Sequence, residues 1–252
     1  MICKIRDIFY HDISKQTAAE RILKAAKEGK ELAVFTPGAV IAAQAQGSLR
    51  LLSLLGHGDL ILPDGVGCKA AAALCGEGLT HVTPGIDTAE LLLSLADPYG
   101  MRVFLYGGRE GIAERAARRL SHRYPHLVFG MCDGYGADPV DRICAFSPDL
   151  VFVCLGFPRQ EAWIARHKKR LSAPALGLGG SLDVWSGSVP RAPLSVRRMG
   201  CEWLWRVLRE PGRLPRLLPL PAYFGGCALV GGRKLLHNFQ KAVLKNSETG
   251  KM

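Results

Sequence analysis

Nothing in this sequence resembles a disulfide framework, a zinc ribbon or a membrane-spanning segment. Its eight cysteines (Cys3, Cys68, Cys75, Cys132, Cys144, Cys154, Cys201 and Cys227) contain no C-x-x-C pair. That usage fits reduced thiols serving as small core hydrophobes in a cytosolic protein. His57, His81, His122 and His126 show no metal-ligand spacing. Met1 to Asp12 sets Lys4, Arg6 and Asp7 among short apolar pairs, without an apolar run leading to a small-residue cleavage site, so no secretory signal is read. The apolar stretch Leu217 to Gly231 is too short to span a bilayer. It is broken by Pro219, Pro221 and three glycines, and reads as interfacial or packed on the body. Neither a P-loop nor the G-x-G-x-x-G dinucleotide fingerprint occurs, and no internal repeat is visible.

What is present is a chain of 252 residues, 48% hydrophobic and 22% charged, enough for one sizeable core with an appendage. The net charge of +11 is uneven: from Arg191 onward there are 12 basic and 3 acidic residues. The expected division is an α/β catalytic domain over 1–195 and a basic appendage over 196–252. By composition alone the partner of that appendage is nucleic acid, anionic lipid or a diphosphate ligand.

Short apolar runs of strand length recur at Glu31 to Phe35, Asp59 to Leu62, Arg102 to Leu105, Leu127 to Gly130, Leu150 to Cys154 and Ala175 to Leu178. Helical stretches lie before or between most of them: Thr17 to Glu28, with Thr17 as cap and Gly29 as stop, Val66 to Cys75, Thr88 to Leu95, Gly111 to Arg123, Pro139 to Phe146 and Gln160 to Leu171. This alternation predicts a Rossmann-like α/β fold, with a mostly parallel sheet, helices on both faces and right-handed crossovers. A further helix is predicted over Gly200 to Glu210, stopped by Pro211. In such a fold every strand-to-helix turn opens on one edge, where ligands bind. Five turns qualify: Thr36-Pro37-Gly38, Pro63 to Gly67, Gly107 to Gly111, Gly156 to Glu161 and Gly179 to Asp183.

Asp64 stands at a strand end between Pro63 and Gly65. A carboxylate held there is suited to take a proton from an attacking hydroxyl; taken alone, it is more readily a turn aspartate bonding its own backbone, and only the surrounding motifs reverse that preference. Gly107 and Gly108 open a helix whose amides suit phosphate, and Gly180 has the same ambiguity between ligand contact and backbone need. Gln160 is placed to bond ligand hydroxyls, Glu161 to complement a helix amino terminus, and Trp163 to join the core. No D-x-D triplet occurs, so charge on a departing diphosphate falls to donors and cations. The candidates are Arg206, Arg209, Arg213 and Arg216, equally readable as a solvated or lipid-facing patch.

Taken in order, Thr36, Pro63-Asp64-Gly65, Gly85-Ile86-Asp87, Phe104-Leu105-Tyr106-Gly107-Gly108, Gly156-Phe157-Pro158-Arg159-Gln160-Glu161, Gly177 to Asp183, Arg191-Ala192-Pro193 and Glu202-Trp203-Leu204-Trp205-Arg206 resemble the WecG/TagA/CpsF family of glycosyltransferases. The resemblance runs from about Ile13 to Arg216. It implies an inverting, metal-independent enzyme with no cofactor, moving an N-acetylmannosamine-type sugar from a UDP donor to an undecaprenyl-diphosphate-linked acceptor. The product would enter teichoic acid, common antigen or capsule. It further implies Asp64 as base, with Thr36, Gly38, Gly107, Gly108, Gln160, Gly180 and Arg191 in the substrate pocket. Arg206, Arg213 and Arg216 would belong to an appendage closing over the diphosphate. The implied location is the cytoplasmic face of the plasma membrane, on an anionic surface, with no nucleic-acid partner and with homo-oligomers allowed. Two departures stand out: Gly38 replaces an Asn common in the family, and the Arg often found before the Gly85 motif is absent around His81 and Val82. The competing readings are a basic nucleic-acid-binding α/β protein, for which the Asp64 and Gln160 turns have no use, and an NAD-dependent oxidoreductase, whose glycine fingerprint is missing.

Overall fold

The computed structural model describes residues 1–193, 195, 196, 205 and 211–249. The chain opens with an antiparallel hairpin, β1 (Ile2–Ile5) and β2 (Ile8–His11), which apolar pattern alone does not announce because four-residue strands alternate too briefly. Cys3, Ile5, Ile8 and Tyr10 fill its buried side. His11 Nδ1 accepts the Ile61 N–H at 3.1 Å, tying the hairpin to the main sheet. Helix α1 (Lys15–Lys27) follows. Its cap is Ser14, whose Oγ accepts from the Thr17 N–H, so the helix starts earlier than the predicted cap at Thr17.

The main sheet contains β3 (Leu32–Phe35), β4 (Leu60–Ile61), β5 (Arg102–Gly107), β6 (Val128–Cys132), β7 (Leu150–Cys154) and β8 (Pro174–Gly177). Their order is β4-β3-β8-β7-β5-β6, with every neighbouring pair parallel, which is the α/β class expected. Two short helices not anticipated from the sequence, α2 (Ala39–Ala45) and α3 (Leu49–Leu55), carry β3 to β4. The predicted helical stretches become α4 (Val66–Leu74), α5 (Gly85–Ala96), α6 (Ile112–Arg123), α7 (Val140–Phe146) and α8 (Arg159–Leu171), and α9 (Ser181–Trp185) follows β8.

Alternation along the strands divides the core between the two faces. Val103, Leu105 and Phe152 join Ile22, Leu93, Ala116 and Leu182 from α1, α5, α6 and α9. On the other face, Phe104, Tyr106 and Val153 join Ala42, Ala71, Ile143 and Ile164 from α2, α4, α7 and α8. Because α6 and α8 leave neighbouring strands β5 and β7 toward opposite faces, a crevice opens between those strand ends.

The carboxyl-terminal region corrects one expectation. Rather than being broken at its prolines and glycines, the chain forms α10 (Leu220–Thr249) after a 3₁₀ segment, Pro211–Leu217. Pro221 sits in the first turn, where its missing N–H leaves no helical bond unmade. Tyr223, Cys227 and Gly231, spaced four apart, are buried as α10 packs on α4 and α2. A Cβ at Gly231 would lie 2.2 Å from the Leu74 carbonyl oxygen, so the glycine permits the contact. The packed alternative for this stretch therefore holds over these turns. The predicted helix Gly200 to Glu210 lies outside the described residues. Among the described residues, no helix is long and apolar enough to cross a membrane.

Candidate active site

All five predicted turns lie at the carboxyl edge of the sheet, and specific contacts join them. At the β4 end Asp64 is half-buried and forms an isolated parallel bridge with Gly38, the residue that starts α2. A Cβ on Gly38 would stand 2.7 Å from the Asp64 carbonyl oxygen, so a bare backbone is needed for this approach. Beneath them Cys68 donates its thiol to the carbonyl oxygens of Pro37 and Asp64. Burial, with the Asp64 charge second, pushes that thiol up to about 12, so it stays protonated and structural.

At the β3 end Thr36 is buried, and its Oγ1 donates to the Gly177 carbonyl at 3.0 Å. Gly85 begins α5 directly against Thr36; a Cβ there would meet Oγ1 at 2.8 Å. Gln160, on α8, is also buried. Its Oε1 accepts from the N–H groups of Gly156 at 3.1 Å and Gly179 at 2.9 Å, and its Nε2 donates to Glu161 Oε1 at 3.0 Å. Most of its hydrogen-bonding capacity is thus engaged within the protein, bracing the turns after β7 and β8. Glu161 is wholly buried, and burial lifts its carboxyl to about 7 against the partly offsetting bond from Gln160.

Gly107 ends β5 with φ of 131°, and a Cβ there would lie 2.4 Å from the Cys154 carbonyl oxygen at the β7 end. Gly108, at φ 75°, turns the chain into α6, and its carbonyl accepts from the Gly134 N–H at 2.9 Å. Gly180 precedes α9 with φ of −83° and only ordinary contact at its Cβ position. Gly107 and Asp64 are separated by four interstrand spacings, about 19 Å, so the turns are strung along the sheet edge rather than gathered at a single point.

Arg191 pairs with the carboxylates of Asp87 and Glu90 on α5, at 3.1 Å for Glu90, which also accepts from Trp185 Nε1. Glu90 falls outside the motifs legible in the sequence; its one signal there is the i, i+3 acidic pair it forms with Asp87 in the first turns of α5. Arg216 is exposed on the 3₁₀ segment, which packs against α2, the helix beginning beside Asp64. Arg206, Arg209 and the side chain of Arg213 lie outside the described residues. Trp163 is buried edge-on to Tyr106 at 5.0 Å, with Nε1 donating to Asp138, as a core residue should. Among the described residues no three His, Cys, Asp or Glu side chains cluster as a metal site would require.

A wholly parallel sheet with an acidic turn, a buried threonine and glycine-formed strand ends along one edge is the arrangement of α/β proteins, which as a class take ligands in a trough at the strand carboxyl ends. The profile of the glycosyl transferase WecG/TagA/CpsF family matches residues 3–234. The chain belongs to this family, and is a glycosyltransferase. It is 37% identical over 201 residues to the N-acetylglucosaminyldiphosphoundecaprenol N-acetyl-beta-D-mannosaminyltransferase of Bacillus spizizenii, covering 78% of each chain. It is 36% identical to the protein of that name from Bacillus subtilis over 175 residues, 68% of each. For Staphylococcus aureus strain MW2 the identity is 36% over 177 residues, 68% of this chain and 70% of the relative.

Proposed function

We propose that this protein transfers an N-acetylmannosamine-type sugar from a UDP donor to an N-acetylglucosaminyl-diphosphoundecaprenol acceptor, with inversion and without a metal, on the cytoplasmic face of the plasma membrane. The observation that carries the reading is Asp64, half-buried at the β4 end and backed by Gly38, in a chain similar to the transferases above. In this mechanism the donor lies along the trough, its diphosphate near Gly107 and Gly108 and its sugar toward Thr36 and Asp64. Asp64 accepts the proton of the attacking acceptor hydroxyl as that oxygen bonds to the anomeric carbon from the face opposite UDP, and the bond to UDP breaks. The negative charge left on UDP is met by backbone N–H groups and by arginines of the appendage, Arg206, Arg213 and Arg216. The absence of a D-x-D triplet supports this metal-free arrangement.

Exposed Leu229 and Leu236, one face of α10, flank Arg233, while Lys234 turns back to pair with Glu77; leucines with an arginine between them suit an anionic membrane surface. The central test supplies the protein with UDP-N-acetylmannosamine and a lipid-linked N-acetylglucosamine acceptor in the presence of a chelator, measures UDP release, and reads the product's anomeric configuration by NMR. Asp64→Asn is expected to lower kcat by about 10²- to 10⁴-fold with the melting temperature retained. Full turnover by that variant removes Asp64 from the mechanism, and a retained anomeric configuration removes the inverting step.

A further inference from the structure

Glu161 has no role in the mechanism above, yet it is a fully buried carboxyl at the start of α8. Its Oε1 accepts from Gln160 Nε2 at 3.0 Å, and its Oε2 is buried without a hydrogen-bond partner. A helix-terminal charge partner gains its few tenths of stability equally well in solvent; complete burial asks for another reason.

The neighbouring amide supplies one. The two ends of a glutamine side chain have the same shape and opposite hydrogen-bonding character. Gln160 must turn its oxygen, not its nitrogen, toward the Gly156 and Gly179 N–H groups. Reversed, it would face two donors with a donor. A group that accepts at the nitrogen end selects the required orientation, and Glu161 Oε1 accepts there whether the carboxyl is ionised or carries its proton on Oε2.

The consequences extend along the trough. Gly156 and Gly179 turn through the left-handed region, with φ of 77° and 53°, and Gln160 Oε1 accepts the N–H of each. The Gln160 amide also lies on Gly177, where a Cβ would meet Nε2 at 2.9 Å, and the Gly177 carbonyl receives the Thr36 hydroxyl.

We propose that Glu161 is a positioning residue that sets the orientation of the Gln160 amide and thereby clamps the turns after β7 and β8 around the donor trough. Its role in transfer rests on the function proposed above; its role in holding the turns does not. The test is amide hydrogen exchange by NMR on the full-length protein, read at Gly156 and Gly179 and referenced to Val103 and Leu105 in β5, alongside UDP release.

Glu161→Met is expected to speed exchange at the two glycines by about tenfold or more, leave β5 unchanged and lower kcat by a similar factor. Gln160→Glu alone places two carboxyls in contact; at a pH high enough to remove the proton they would share they repel and should also give fast exchange, whereas adding Glu161→Gln restores a donor facing an acceptor and should return slow exchange. Unchanged glycine amides in Glu161→Met, or exchange in the double variant as fast as in Gln160→Glu, overturns the proposal. Should the methionine variant not fold, the double variant decides alone. Exchange needs no substrate, so a wild-type protein that releases no UDP overturns the transferase reading and leaves this test standing.

Discussion

Glu161 shows how one carboxyl changes character when water is removed. Burial raises it from the ordinary 4.5 to about 7 because the charged form loses hydration that one bond from Gln160 does not replace. The folded protein therefore keeps a proton that the unfolded chain has released. The sign is fixed by that difference: stability is fully present at low pH and is lost as pH rises from 4.5 through about 7, by about 3 kcal/mol at most. Glu161→Gln should flatten this slope, so that urea melts of the variant gain on wild type between about pH 4.5 and about pH 7.5. Parallel stability profiles would show that the carboxyl is already solvated in the native state. The same scale explains Gly38, whose departure from the family pattern is legible in the sequence while its reason is not. The 2.7 Å approach of the Asp64 carbonyl to its Cβ position joins two turns 26 residues apart in the chain.

Among the elements, α10 gives the clearest case of tertiary context overriding local punctuation. Read along the chain, two prolines and several glycines mark a broken segment. In the fold Pro221 occupies a first turn, and Gly231 faces the end of α4, where its missing side chain lets two backbones touch. Gly231→Val should push α10 off α4 and expose Tyr223 and Cys227. A loss of about 1–3 kcal/mol in chemical denaturation is expected, with the Cys227 thiol becoming reactive to a maleimide reagent; an unchanged midpoint and a protected thiol would mean that the contact is dispensable. The strands, by contrast, were read nearly residue for residue, because strands buried on both faces leave continuous apolar runs. The hairpin β1–β2 and helices α2 and α3 escaped because elements of four to seven residues carry too little periodicity.

For the molecule as a whole, the question is how a protein whose described helices include none able to cross a bilayer would meet the lipid-linked acceptor proposed for it. One face of α10 is committed to the core through Tyr223, Cys227 and Gly231, while Leu229 and Leu236 remain 70% and 65% exposed on the other. Removing everything after Met199 would therefore strip core packing together with any membrane contact. Replacing both exposed leucines with glutamate separates the two effects. Flotation with vesicles containing anionic phospholipid should fall at least several-fold while the melting temperature holds, and wild-type binding should weaken with added salt. Equal flotation by the double variant would locate membrane contact elsewhere.

The sequence by itself determined the parallel α/β sheet, the edge on which its strand-to-helix turns gather and the family, since runs of buried strand residues and ordered turn motifs are local properties of the chain. Only the tertiary structure decided how the turns are held. It showed that Gln160 braces the Gly156 and Gly179 turns, that Arg191 is matched by Asp87 and Glu90, and that Gly38 abuts Asp64. Those pairings depend on which groups meet across strands and helices far apart in the chain, and hydrogen-bond partners over such separations leave no periodic trace for a linear reading to find.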